Sequence, residues 1–174
     1  MPETVAEVLV LGLGNDILTD DAVGLHVAHA VRERLAGNPH IEVRSTTEMG
    51  LALLDEIAGR AGVVLVDSVQ TGRAPPGHIH EIDPAELADV SSSVPHMLGV
   101  GETLALGQLM GLAMPRQVRV LAIEVADPFS LGTEMTEAVR HAVASAAEKV
   151  AAAAGELVRA VGPACPGRAA PKNG

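Results

Sequence analysis

Two adjacent carboxylates, Asp20 and Asp21, close a glycine-containing turn in "VLVLGLGNDILTDDAVGLHV" (residues 8–27). A third carboxylate, Asp67, ends the apolar run "GVVLVDS", and an imidazole, His96, stands in "SVPHML". Two carboxylates and an imidazole form a borderline-hard ligand set that suits Zn, Ni or Fe and leaves open positions for a substrate. Carboxylates facing one crevice repel, and a cation is the usual remedy.

Each residue also has a plainer reading. Thr19 or Asp20 could be the N-cap of a helix, with Asp21 in its first turn favoured by the helix dipole. Asp67 could form a turn before "SVQTG", and an isolated His96 could be an ordinary loop histidine. What favours a site is position: Asp67 sits where a buried strand reaches its carboxyl end, and ligands of open α/β sheets collect outside such ends at the switch point. If the first and third strands are neighbours, Asp21 and Asp67 meet there.

Phosphate chemistry fits poorly. A dinucleotide fingerprint has glycine at three set positions and an acid at the end of the next strand. Gly12 and Gly14 fill the first two, but Ile17 takes the third and the next strand ends "VRS". "LTDD" stands where a phosphate-cradling loop needs "GK[ST]", and Asp16, Asp20 and Asp21 would repel a pyrophosphate. His78 and His80 share one face of a short strand and could ligate metal, yet a solvated edge strand is the better reading because the pattern places no carboxylate beside them. His26, His29, His40 and His141 are expected at the surface. "SSS" (residues 91–93) has no nucleophile elbow, and Cys165 lies in a tail that gives a thiol no activation.

The elements that must position these residues follow from periodicity. Val8 to Gly12 reads as a buried parallel strand and Asp21 to Leu35 as a helix. Strands are predicted at 41–45, 62–68, 78–82 and 118–125, with helices at 49–59, about 99–112 and roughly 133–154. Alternation of strand and helix predicts an open, mainly parallel sheet with right-handed crossovers, "HIHEI" being a candidate antiparallel edge. Residues 1–154 are expected to form a single α/β domain and 155–174 a Pro/Gly/Ala-rich tail.

Composition sets the outer limits. Apolar residues make up 48% of the chain, yet Phe129 is its only Phe, Tyr or Trp, so the core must be aliphatic. A net charge of -10 and the lack of stacking rings argue against nucleic acid. One cysteine forms no disulfide framework, and no stretch has the length and apolarity of a membrane span. A cytoplasmic, monomeric protein is expected.

The chain resembles the [NiFe]-hydrogenase maturation endopeptidases in "LGLGNDILTDDAVG", "VLVDSV", "PHMLGVGETLALGQLMG" and "AIEVADPFSLGTEMTEAV", which together span roughly Val8 to Ala153. The resemblance implies a three-layer α/β/α sandwich with about five strands, ordered 2-1-3-5-4 with one antiparallel. It implies a metal-binding and catalytic triad of Asp21, Asp67 and His96, in which we expect Asp67 to be the general base and His96 a ligand or proton donor. Such enzymes remove a C-terminal extension from the hydrogenase large-subunit precursor after nickel insertion, so the nickel comes with the substrate. Aspartate stands at position 21 where some relatives have glutamate. "STTEMG" (residues 45–50) departs from the family's glycine-threonine-rich turn, which puts Thr46, Thr47, Glu48 and Gly50 in doubt as site members. A non-catalytic module that senses a metal-loaded partner is the alternative, and a nucleotide-binding module is a third, weaker one.

Overall fold

The computed structural model describes residues 6–48, 50–82 and 98–161. Strands β1 (Val8–Leu13), β2 (Ile41–Thr46), β3 (Gly62–Val69), β4 (Ile79–Ile82) and β5 (Gln117–Glu124) form one sheet in the order β2-β1-β3-β5-β4. All pairs are parallel except β4 on β5, so the expected order and antiparallel edge hold. Helices α1 (Val23–Arg34), α2 (Leu51–Ile57), α3 (Leu98–Leu109) and α4 (Glu137–Val161) cover the two faces.

The continuous apolar runs of β1 and β3 follow from burial on both sides. Val8, Val10, Val64 and Val66 pack with α1 and α4, whereas Leu9, Leu11, Val63 and Leu65 pack with α2 and Val100 of α3. Successive strand residues thus serve opposite layers, which makes the three-layer α/β/α sandwich. Along α1, Val23, Val27 and Val31 repeat every four residues and form its buried stripe. Alanines 142, 146, 147, 153 and 154 line the buried face of α4 and let the two helices approach closely.

One close approach is set by glycine. A Cβ on Gly12 would lie 2.2 Å from the Gly24 carbonyl oxygen, and one on Gly24 would lie 2.1 Å from Leu13 O and 2.6 Å from Val66 O. The first turn of α1 therefore rests on the backbone of β1 and β3. The glycine for helix–strand packing, absent at Ile17, is supplied within the helix by Gly24.

The last helix departs from expectation at both ends. It begins at Glu137 instead of 133, because the Thr136 N–H is bound by Asp20 while Thr136 O accepts from Arg140 N. It also passes through Gly155 to Val161, so the helix boundary expected at 154 is corrected. Glycine in a helix costs about 1 kcal/mol, but Leu157 is fully buried, and burying a leucine is worth about 2 kcal/mol. Leu157 packs over Gly62, where a Cβ would meet its Cδ1 at 3.3 Å, and Glu156 pairs with Arg119 at 2.6 Å. Packing thus outweighs propensity.

Candidate functional site

Pairing between β1 and β3 stops at Gly12 with Val66, so Asp67, Ser68 and Val69 run past the end of β1 while still paired with β5. From β1 the chain leaves through α1 toward β2; from β3 it leaves toward β4, α3 and β5. These opposite departures make the carboxyl edge between β1 and β3 the switch point of the sheet, the position that favours ligand binding.

Asp21 reaches this edge from the 3-10 turn Asp20–Ala22 that precedes α1. Gly14 makes the approach possible, since a Cβ there would lie 2.2 Å from Asp21 O. The glycine that looked like part of a phosphate loop thus seats a carboxylate. Asp21 and Asp67 are both buried, at 5% and 4% exposure. Ser68 links them: its hydroxyl donates to Asp21 Oδ1 at 2.5 Å and its backbone N–H to Asp67 Oδ1 at 2.8 Å. The structure therefore brings these two expected site residues together.

Asp67 Oδ2 is buried and accepts no hydrogen bond among the described residues. A buried carboxylate oxygen without a donor is costly and calls for a ligand, a metal or a proton. Burial pushes the Asp67 carboxyl up from 3.8 to about 7; the Asp21 charge adds to the rise, and the Ser68 N–H opposes it. A carboxyl with this property exchanges a proton near neutrality, as a general base or acid must.

Asp20 is fully buried and does different work. Its Oδ2 accepts from Ala126 N at 3.0 Å, Asp127 N at 2.9 Å and Thr136 Oγ1 at 3.0 Å, and its Oδ1 from Thr136 N at 2.7 Å. The N-cap expectation for Thr19 and Asp20 is thereby corrected: Thr19 makes no side-chain cap bond and instead donates its hydroxyl to Asp127 O. The turn is held by the chain after β5, not by its own helix. Asp20→Ala should destabilise the protein by about 3 kcal/mol, the cost of stranding donors that served a charged acceptor; urea unfolding at unchanged slope measures this. Asp21→Asn should change stability far less.

His96 lies outside the described residues, as do Cys165 and residues 91–93. The helix that follows His96, α3, begins at Leu98; α3 ends near Ala61, beside the start of β3, since Gly59 N meets Ala113 O and Arg116 N meets Ala61 O. Its first turn is therefore at the carboxyl edge. Among the described residues no group of three or more His, Cys, Asp or Glu is arranged to hold a metal. Thr46 ends β2 at the same edge, and its hydroxyl accepts from Glu48 N at 3.1 Å, a local turn. His26, His29, His40 and His141 are exposed as expected.

One polar cluster escaped the sequence reading. Glu124, 2% exposed at the end of β5, accepts from Thr71 N and Gly72 N at 2.8 Å and Thr71 Oγ1 at 2.7 Å, and meets His80 Nε2 at 2.9 Å. Hence a carboxylate does stand beside His80, contrary to expectation, because the antiparallel register sets His80 opposite Ala122, two residues before Glu124. The His78 and His80 rings pack edge to face at 4.7 Å. The signal was present in "LAIEV", an acid set in an apolar run just as in "VLVDS". Burial opposes ionisation of Glu124, but the bonds from Thr71, His80 and Gly72 together outweigh it and lower its pKa below the ordinary 4.5. A lowered carboxyl pKa stabilises the fold above the ordinary value, and this is lost as pH falls. Glu124→Gln should therefore cost about 1–2 kcal/mol at pH 7, with the gap to the parent narrowing below pH 4.5 in melts at both pH values.

Comparison with known proteins adds the family. A family profile described as hydrogenase maturation protease matches residues 25–153. The hydrogenase 2 maturation protease of Escherichia coli (strain K12) is 25% identical over 148 residues, which cover 84% of this chain and 89% of that protein. The solved hydrogenase maturating endopeptidase HybD from E. coli superimposes with a TM-score of 0.72 at 26% identity, covering 90% of this chain and 94% of that one. The [NiFe] hydrogenase maturation protease HycI from Thermococcus kodakarensis KOD1, at 23% identity, shares the fold with a TM-score of 0.67 over 88% and 93% of the chains. On these grounds the chain belongs to the hydrogenase maturation protease family, peptidases that act in hydrogenase maturation.

Proposed function

We propose that this peptidase removes the C-terminal extension of a [NiFe]-hydrogenase large-subunit precursor after nickel has been inserted, and that it recognises the nickel which the substrate carries. The observation that carries this reading is the buried Oδ2 of Asp67, without a donor among the described residues, beside Asp21 at the sheet's carboxyl edge. Asp21, Asp67 and His96 approach the substrate's nickel. A set without thiolate holds free nickel poorly, so a metal already gripped by substrate groups is favoured over the free ion. Nickel is thus cargo of the substrate and a test of its readiness.

In the cut itself Asp67 is the general base. A carboxyl near 7 is substantially ionised at neutral pH and accepts a proton from water set against the scissile carbonyl. Asp21, held by the Ser68 hydroxyl, fixes the metal-bearing end of the substrate, and His96 serves as ligand or proton donor. The work is done in the cytoplasm by a monomer.

The test is incubation of the purified chain with nickel-loaded and nickel-free precursor, followed by mass spectrometry of the large subunit. Loss of a C-terminal peptide from the loaded form alone is expected. Equal cutting of both forms would remove the nickel dependence. Tight binding of the loaded form without any cut would replace the peptidase step with the metal-sensing module.

A further inference from the structure

The turn after β1 and the chain after β5 are sewn together. Leu18 and Leu131 form an antiparallel bridge, and Thr19 N meets Ser130 O at 3.0 Å, Asp20 N meets Asp127 O at 3.1 Å and Gly132 N meets Ile17 O at 3.0 Å. Asn15 Oδ1 accepts from Ile17 N, and Asp127 Oδ1 accepts from Phe129 N and Ser130 N, which fixes both tips. This rigid seam holds Ile17, Phe129 and Leu131 in solvent at 59%, 66% and 79% exposure. The chain's one aromatic ring of the Phe, Tyr or Trp type is thus left outside an otherwise aliphatic core. Three large apolar side chains presented to water by one hydrogen-bonded seam mark an interaction surface more often than an accident of packing.

We infer that Ile17, Phe129 and Leu131 form the docking rim for the segment of polypeptide substrate that flanks the scissile bond. The inference rests on the processing reading above. Three observations choose this occupant. The rim adjoins the Asp21–Asp67 pair, because Asp20, anchored in the seam, is the chain neighbour of Asp21. A peptidase must lay its substrate across that edge, and a rim already ordered loses little entropy on binding. The turns that carry the rim, residues 14–22 and 125–136, hold Asp16, Asp127 and Glu134 besides the site acids and contain no Lys or Arg, so they complement a segment with apolar side chains next to basic ones.

The experiment measures the Kd of nickel-loaded precursor on an Asp67→Asn background, which keeps it uncut, alongside KM and kcat on the parent background. Phe129→Ser and Leu131→Ser are each expected to raise Kd and KM about tenfold or more while kcat at saturation stays within about twofold. Circular dichroism and melting should match the parent, since both side chains are exposed. Leu109→Ser, 86% exposed at the far end of α3, should leave Kd unchanged. Unchanged Kd in Phe129→Ser would overturn the rim, and so would equal weakening by Leu109→Ser. A wild-type dimer that dissociates in Phe129→Ser at unchanged precursor affinity would assign the patch to self-association instead. Weakened binding in Phe129→Ser with no cleavage by the parent would support the rim and overturn the processing reading alone.

Discussion

Asp67→Asn is expected to abolish processing and at the same time to make the protein more stable above neutral pH. The folded carboxyl sits at about 7 against 3.8 for an ordinary aspartate, so between these values the native state binds the extra proton. Its contribution is fully present below pH 3.8 and is lost as pH rises through 7. Holding Asp67 ionised in its buried place costs on the order of 4 kcal/mol at high pH. Asparagine is neutral throughout and escapes this cost, and its amide can donate toward Asp21. Urea unfolding at pH 8.5 should therefore favour the variant by a few kcal/mol, and the advantage should shrink toward pH 5. Processing should fall at least about a thousandfold, because loss of a general base typically costs two to four orders of magnitude. Parent kcat/KM should rise with pH and level off above about 7. A variant that still cuts, or one less stable at every pH, would show that Asp67 is a structural residue.

Gly24→Ala is expected to destabilise the fold severely. Its methyl carbon would sit 2.1 Å and 2.6 Å from two backbone oxygens, Leu13 O in β1 and Val66 O in β3. Neither can swing away as a side-chain tip would, so the whole first turn of α1 must lift off the sheet and carry Asp21 with it. A cost of about 4 kcal/mol or more is expected, or about 10 °C or more in Tm for a chain of this size. Gly155→Ala is the matched control. It lies within α4 with its nearest foreign atom at 3.8 Å, and should stabilise by up to about 1 kcal/mol. Differential scanning calorimetry of the two variants separates clash from propensity, and similar melting temperatures would contradict the close contact.

The strands were readable because β1 and the first five residues of β3 are apolar without alternation, and this fixes burial on both faces and hence helices on both sides. Asp67 was readable for the same reason, a charge at the end of such a run being conspicuous. The division of work between Asp20 and Asp21 was not. Two neighbouring aspartates look alike until the partners of the first are known, and these lie 106 to 116 residues away. Glu124 was overlooked because its histidine belongs to an antiparallel edge strand whose register no local pattern sets. Gly24 was hidden inside an apparently ordinary helix. The end of α4 was misjudged because Gly155 weakens the local helical signal while Leu157 is secured by β3, far off in sequence.

The Asp20 latch also ties an early part of the chain to one made much later. During synthesis β1, Asp21 and β3 leave the ribosome early, but the acceptor oxygens of Asp20 stay unclaimed until Ala126, Asp127 and Thr136 have followed. A nascent or truncated chain that ends before Thr136 therefore has Asp21 and Asp67 but lacks the full set of bonds that anchors the turn carrying Asp21. The turn that presents Asp21 is thus completed only when the chain extends to the start of α4.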